Sequence, residues 1–235
     1  MTLAIASPPL HTVTIAGRAE RFPVYRVFCV GRNYAAHARE MGKDPDREPP
    51  FFFMKPAAAA LDAAQPITVP YPPKTNNYHH EIELVVAIGS TCRNATYRMA
   101  LECVLGYGVG LDMTRRDLQL EARDKGRPWE FGKSFAGSAP IGALHLVSDI
   151  GHPAVGSISL TVNSHSRQSS DIAKMIWSVA ECIVHLSAFD SLEPGDLIMT
   201  GTPEGVGAVV AGDIMRGAID GLGEIVVTVG ARQET

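Results

Sequence analysis

Two acidic residues stand one apart in the segment HHEIELVV (79–86), at the head of an apolar run that continues to Ile88. Side chains alternate faces along a strand, so Glu81 and Glu83 point one way while Ile82 and Leu84 point the other. Alone, such a pair marks a solvated strand face as readily as a site. A third carboxylate changes the reading: Asp112 closes the Gly-rich apolar stretch GYGVGL (106–111), which has little reason to end on an acid. Three oxygen donors from two strands, with no cysteine among them, suit a hard divalent cation such as Mg²⁺ or Mn²⁺. The remaining positions would go to water and substrate. His79 and His80 raise zinc as an alternative, but His79 reads as a supporting or surface residue rather than a ligand.

Further chemistry-bearing groups lie around these acids. In DMTRRDLQ (112–119), Arg116 and Gln119 are three apart and share a face if the piece is helical. Lys133 follows a glycine in GKSFAGSAPIG (132–142), read as a loop. Each of these is, taken singly, an ordinary surface residue. The Ala-rich segment GRNYAAHAREMG (31–42) reads as a short helix that sets His37 three residues before Glu40. A carboxylate beside an imidazole fixes its tautomer and raises its basicity, the construction of a general base. MTGTPEGVG (199–207) reads as a strand running into a Gly-rich turn whose hydroxyls and N–H groups suit a carboxylate ligand. No phosphate loop, dinucleotide fingerprint or serine-nucleophile elbow is present, which disfavours nucleotide binding and serine hydrolysis.

The elements that must position these groups are mostly strands. Residues 26–30, 51–55, 82–89, 157–163, 196–200 and 224–229 are rich in Val, Ile and Phe and are mostly bounded by Gly, Pro or Asn. Two helices are predicted: one over about 94–105 with Asn94 as N-cap, and one beginning at the capping-box sequence SVAE (178–181) and running to about Phe189. Residues 65–77 read as a Pro-rich loop. Strands and helices do not alternate as in a doubly wound fold, so the prediction is a β-rich α+β chain. A small N-terminal β extension over 1–24 would precede a catalytic domain over 25–235.

The 235 residues carry a net charge of −4 with 46% hydrophobic and 20% charged residues, an ordinary globular composition that disfavours nucleic acid or an anionic membrane as partner. Four scattered cysteines read as free thiols of a reducing compartment. The N-terminus lacks a basic region before its short apolar run, and no stretch reaches the length of a membrane span, so a cytoplasmic location is expected.

Taken together, GRNYAAHARE, the E-x-E of HHEIELV, LDMTRRDLQ, PWEFGKSF, SAPIG and PGDLIMTGTPEGVG resemble the fumarylacetoacetate hydrolase family in order and spacing, over about residues 31–207. The N-terminal run from Glu20 to Pro56 is most similar to the bacterial fumarylpyruvate hydrolases of gentisate breakdown. The resemblance implies a mixed β-roll, usually a homodimer, and makes Glu81, Glu83 and Asp112 ligands of Mg²⁺ or Mn²⁺, with Ca²⁺ as a substitute in crystals. It makes His37 and Glu40 a water-activating pair on a lid, and Arg116, Gln119 and Lys133 the donors that stabilise oxyanion and substrate. Thr202 would hold the carboxylate of a 2-oxo acid, and Arg32 a distal carboxylate. Ala136 departs from the family's frequent K-S-F-D-G, and SHSR (164–167) from its usual N-G turn. The implied reaction is hydrolysis of the C–C bond of an acylpyruvate, a 2,4-dioxo acid, foremost fumarylpyruvate to fumarate and pyruvate. Oxaloacetate decarboxylation or tautomerisation and dienedioate isomerisation or hydration are the alternatives. A silent metal-binding scaffold is the remote one; it would tolerate His37→Ala, whereas an enzyme would not.

Overall fold

The computed structural model describes residues 4–40 and 48–233; the side chains of Ala38 and Glu40 lie outside the described residues. An eight-stranded mixed sheet forms the centre. Its order is Phe51–Pro56, Arg26–Gly31, Leu197–Met199, Ile82–Ile88, Val104–Leu111, Ala139–Ile141 and Ala60–Asp62, with His145–Leu146 also paired to Val104–Leu111. Two of its pairings are parallel, Leu197–Met199 with Arg26–Gly31 and Ala139–Ile141 with Ala60–Asp62. A five-stranded sheet, ordered His165–Asp171, Ser157–Val162, Ile214–Ile219, Glu224–Arg232 and Ile67–Tyr71, curls against one face of the first. A three-stranded sheet of Thr114–Arg115, Tyr78–His80 and Gly207–Val209, and an N-terminal hairpin of Thr12–Thr14 and Arg21–Pro23, complete the β structure.

The period-2 pleat explains why the central strand reads as one continuous apolar run. Ile82, Leu84, Val86 and Ile88 enter the large core shared with the five-stranded sheet. Val85 and Ala87 enter a second core with Val27, Cys29, Leu197 and Met199. Both faces are therefore covered, and every residue from Ile82 to Ile88 is buried. Each such aliphatic side chain contributes about 1.5–3 kcal/mol on burial. Glu81 and Glu83 have the parity of Val85 and Ala87, so both are directed to the second face.

Six α-helices lie among the described residues, all of them short. Helix Val179–Phe189 starts with the expected capping box: the Ser178 hydroxyl accepts from the Glu181 N–H and the Glu181 carboxylate accepts from the Ser178 N–H. The other predicted helix is shorter than expected, Tyr97–Glu102, and its cap is Thr96 rather than Asn94. Asn94 sits at φ 44, in the left-handed region, whereas an N-cap needs extended backbone. The Pro-rich segment 65–77 is not wholly a loop, since Ile67–Tyr71 forms the edge strand of the five-stranded sheet. No described helix is long and apolar enough to cross a membrane. All four cysteines are buried free thiols.

Candidate active site

Glu81 and Asp112 face each other because of strand register. Ile82 pairs with Leu111 and Glu83 with Gly110 in the antiparallel ladder, and just beyond it the Asp112 N–H donates to the Glu81 carbonyl at 2.8 Å. One carboxylate oxygen of each of Glu81, Glu83 and Asp112 lies within 4.8 Å of the others, and all three residues are buried. Glu83 accepts from the Gly201 N–H at 2.8 Å. Burial pushes its carboxyl well above the ordinary value, and the neighbouring Asp112 and Glu81 charges push it further. Glu81 goes the other way: burial would raise it, but Lys133 and Arg116 hold it well below the usual carboxylate range. Three hard oxygen donors crowded closely enough to repel one another fit a divalent cation bound through carboxylates.

Cations close around the acids from three separate elements. Lys133 Nζ lies 2.7 Å from Glu81 Oε2 and 2.6 Å from Asp112 Oδ2. Burial works against its charge, but Asp112 and Glu81 outweigh that and lift it above an ordinary lysine. The sequence places Lys133 in a loop; it is instead the last residue of a one-turn helix, Glu130–Lys133. That turn packs directly on helix Arg116–Asp124, where a Cβ on Gly132 would come 2.8 Å from the Gln119 nitrogen. Arg116 donates to the Gln119 amide oxygen and to Glu81. The Gln119 oxygen is thereby occupied, so its NH₂ group is what it presents to the cleft.

His79 stands behind Arg116: its Nε2 is 2.8 Å from Asn77 Oδ1 and its Nδ1 is 3.5 Å from Arg116 Nε. Burial, reinforced by Arg116, lowers its pKa to about 4. It is a neutral support for the arginine.

Sequence reasoning missed Lys55. The run FFFMK reads only as an apolar strand, yet Lys55 is 1% exposed and its Nζ lies 2.8 Å from Asp112 Oδ1. It also donates to the carbonyl of Lys133 and to Ser138 Oγ at 3.0 Å, so it neutralises Asp112 and holds the chain that carries Lys133. The available signal was parity: Phe51, Phe53 and Lys55 share one strand face.

The cleft above these groups is lined also by Arg32, His37, Phe51, Phe53, Trp129 and Thr202. Phe51 and Phe53 pack against Trp129 with ring centroids 5.2 and 5.9 Å apart, forming an apolar part of the cleft lining. Arg32, at φ 58, rests its guanidinium 5.1 Å above the Phe51 ring. His37 is buried on helix Ala35–Glu40 and lines the cleft. The chain before that helix is fastened by buried Asn33, which donates to the carbonyls of Thr200 and Trp177 at 2.8 and 2.9 Å and accepts from the Trp177 N–H. The structure thus brings Arg32, His37, Glu81, Glu83, Asp112, Arg116, Gln119, Lys133 and Thr202 to one cleft. Glu40 ends the His37 helix, and its side chain lies outside the described residues.

Residues 26–230 match the family described as fumarylacetoacetate (FAA) hydrolase C-terminal. A fumarylpyruvate hydrolase from Ralstonia sp is 47% identical over 81% of this chain and 98% of its own length. The oxaloacetate tautomerase YcgM of Escherichia coli (strain K12) is 41% identical over 85% of this chain and 90% of its own. The crystal structure of fumarylpyruvate hydrolase from Pseudomonas aeruginosa, in complex with Mn²⁺ and pyruvate, superposes with a TM-score of 0.94 at 55% identity, covering 98% of this chain and 100% of that one. With its curled mixed sheets, few short helices and a buried carboxylate triad, the chain belongs to the fumarylacetoacetate hydrolase family.

Proposed function

We propose that the protein hydrolyses the C–C bond of fumarylpyruvate to give fumarate and pyruvate. The carrying observation is the buried triad of Glu81, Glu83 and Asp112, set in a cationic cleft whose structural relative holds Mn²⁺ and pyruvate. A divalent cation held by those three carboxylates supplies Lewis acidity and a chelation point for a 2-oxo acid. The chain's own residues do the rest. His37, with Glu40 three residues further along the same helix, takes a proton from the attacking water. The resulting hydroxide adds to the carbonyl carbon of the fumaryl group.

Charge developing on that carbonyl oxygen meets the Gln119 NH₂ group and Lys133, whose ammonium has one N–H left after serving Glu81 and Asp112. Collapse of the adduct breaks the C–C bond and leaves the electron pair on the pyruvate fragment as an enolate. The proton taken by His37 returns to that carbon. Thr202 takes the carboxylate of the 2-oxo acid, and Arg32 at the rim takes the distal carboxylate of the fumaryl end. Lys55 adds a positive charge beside Asp112, which favours a dianionic substrate.

The family resemblance supports Mg²⁺ as the working metal, a homodimer, a cytoplasmic location and a place in gentisate catabolism. The family match begins at residue 26, after the hairpin Thr12–Pro23, which supports reading 1–24 as an extension of a catalytic domain over 25–235. The test follows the enol absorbance of fumarylpyruvate with Mg²⁺ or Mn²⁺ and identifies the products by NMR. Fumarate and pyruvate, lost with chelator and slowed about 100-fold or more by His37→Ala, are the expected result. No cleavage sinks the reading. The identity with oxaloacetate tautomerases supports a second one, checked by following enol–keto exchange of oxaloacetate in the same preparation.

A further inference from the structure

Strand His165–Asp171 is exposed along most of its length, yet Gln168 within it is fully buried. The ladder to Ser157–Val162 explains how. Leu160 pairs with Gln168 and Thr161 with Ser166, so Arg167 is an extra residue, a bulge that re-aims the next side chain. The loop after Thr202 is fitted to this bulge. Gly205 has φ +89 and passes so close that a Cβ there would lie 2.0 Å from the Arg167 carbonyl oxygen. Only glycine fits both the angle and the approach.

The Gln168 amide has one possible orientation. Its Nε2 is 2.9 Å from the Pro203 carbonyl oxygen, which can only accept, and its Oε1 is 3.1 Å from the Ile82 N–H, which can only donate. Oε1 also lies 3.0 Å from His80 Nδ1, which therefore carries the proton of that contact. The second Nε2 proton goes to Thr202 Oγ1 at 2.8 Å. The Thr202 hydroxyl is thus an acceptor toward the interior, and no acceptor among the described residues takes its own proton. We propose that Gln168 is a positioning residue that makes Thr202 an obligate donor toward the cleft, matched to the carboxylate of a bound 2-oxo acid. This rests on the function proposed above. It assigns a role to the residue that directly follows the unusual SHSR segment, far from the metal-binding acids in sequence.

The test measures pyruvate binding calorimetrically to Mn²⁺-loaded wild type, Gln168→Met, Thr202→Val and the double variant, with kcat and KM on fumarylpyruvate alongside. Each single change is expected to weaken pyruvate binding by about tenfold or more, the loss of a hydrogen bond to a charged group. KM should rise by a similar factor with kcat within about twofold, as for a uniform binding contact. The double variant should bind no more weakly than Thr202→Val alone, because Gln168 acts through Thr202. Gln168→Glu is the second probe should the methionine variant not fold; its carboxyl oxygen captures the Thr202 proton and should give the same loss. Pyruvate affinity within twofold of wild type in the folded Gln168 variant, or losses that multiply in the double variant, overturns the relay. A wild type that binds pyruvate but leaves fumarylpyruvate intact sinks the proposed reaction alone. A wild type that binds neither overturns both.

Discussion

The acids and the cations of the cleft are placed by different means. Glu81, Glu83 and Asp112 come from two adjacent strands of one antiparallel ladder, where pleat and register decide every direction. Lys55, Arg116 and Lys133 come from an outer strand and two short helices, and their positions depend on how those elements pack. Within the acids there is a second contrast. Asp112 touches two lysines, whereas the hydrogen bond recorded for Glu83 among the described residues comes from a backbone N–H. The same charge on the same sheet face is therefore stabilised in one place and frustrated in the other.

Removing the two charges separately gives the largest expected effect. Asp112→Asn leaves Lys55 buried with an uncompensated charge and takes from Lys133 one of its two acids, and should cost about 3–5 kcal/mol in denaturant unfolding of the metal-free protein. Glu83→Gln removes only repulsion and should leave that stability unchanged or raised. Both should abolish Mn²⁺ binding. Equal destabilisation by the two variants would break the contrast. Lys55→Met, which removes the partner of Asp112 while keeping the stem's bulk, should cost about 3 kcal/mol in the same assay. A neutral effect would reduce Lys55 to packing.

The frustration at Glu83 also sets a pH dependence. Its folded pKa is raised, so the metal-free folded state holds a proton that the unfolded chain releases near the ordinary glutamate value of about 4.3. The stability from that proton is full below the unfolded value and is lost as pH rises through the folded one. A cation competes with the same proton, so its benefit must grow with pH. Thermal melts from pH 5 to 8 should show the Tm gain from Mn²⁺ widening upward, and Glu83→Gln should flatten the trend. A gain independent of pH in wild type would contradict the raised carboxyl.

The contrast also explains what the sequence made legible. Alternation along 79–86 and the acid at the end of GYGVGL placed three carboxylates together because strand geometry is local and periodic. The Ser178–Glu181 capping box is equally local, and the helix begins there. Lys55, Gln168 and the helical setting of Lys133 were not legible. Each is defined by a partner distant in sequence: Asp112 for Lys55, Thr202 and Pro203 for Gln168, the Gln119 backbone beside Gly132 for Lys133. Strands as short as Ala60–Asp62 and Ala139–Ile141 carry too little pattern to read, since they exist through pairing with each other and with the central sheet.

On the packed side, Gly132→Ala should cost about 1–3 kcal/mol by forcing the Lys133 turn off the Arg116 helix. Turnover should fall with it, because both donors shift, and unchanged stability would show that the helices can slide.

The smallest effect lies at the start of that same helix. Asp117 accepts from Thr75 Oγ1 at 2.6 Å and from the N–H groups of Asn76 and Leu118 at 2.9 Å, pinning the helix that carries Arg116 and Gln119 to the loop after Ile67–Tyr71. Burial would raise its carboxyl, but those three donors outweigh burial and lower it. A depressed acid contributes stability above its unfolded value of about 3.9, and that contribution fades as pH falls through the folded value. Asp117→Asn should therefore cost about 1 kcal/mol at neutral pH, and the gap to wild type should close at pH values below the folded one. Urea midpoints at pH 7 and in acid would read both arms. A gap that persists in acid would mean that the shape of the side chain, not its charge, fixes the helix start. The Arg116 helix would then be held to that loop by the fit of the side chain rather than by its charge.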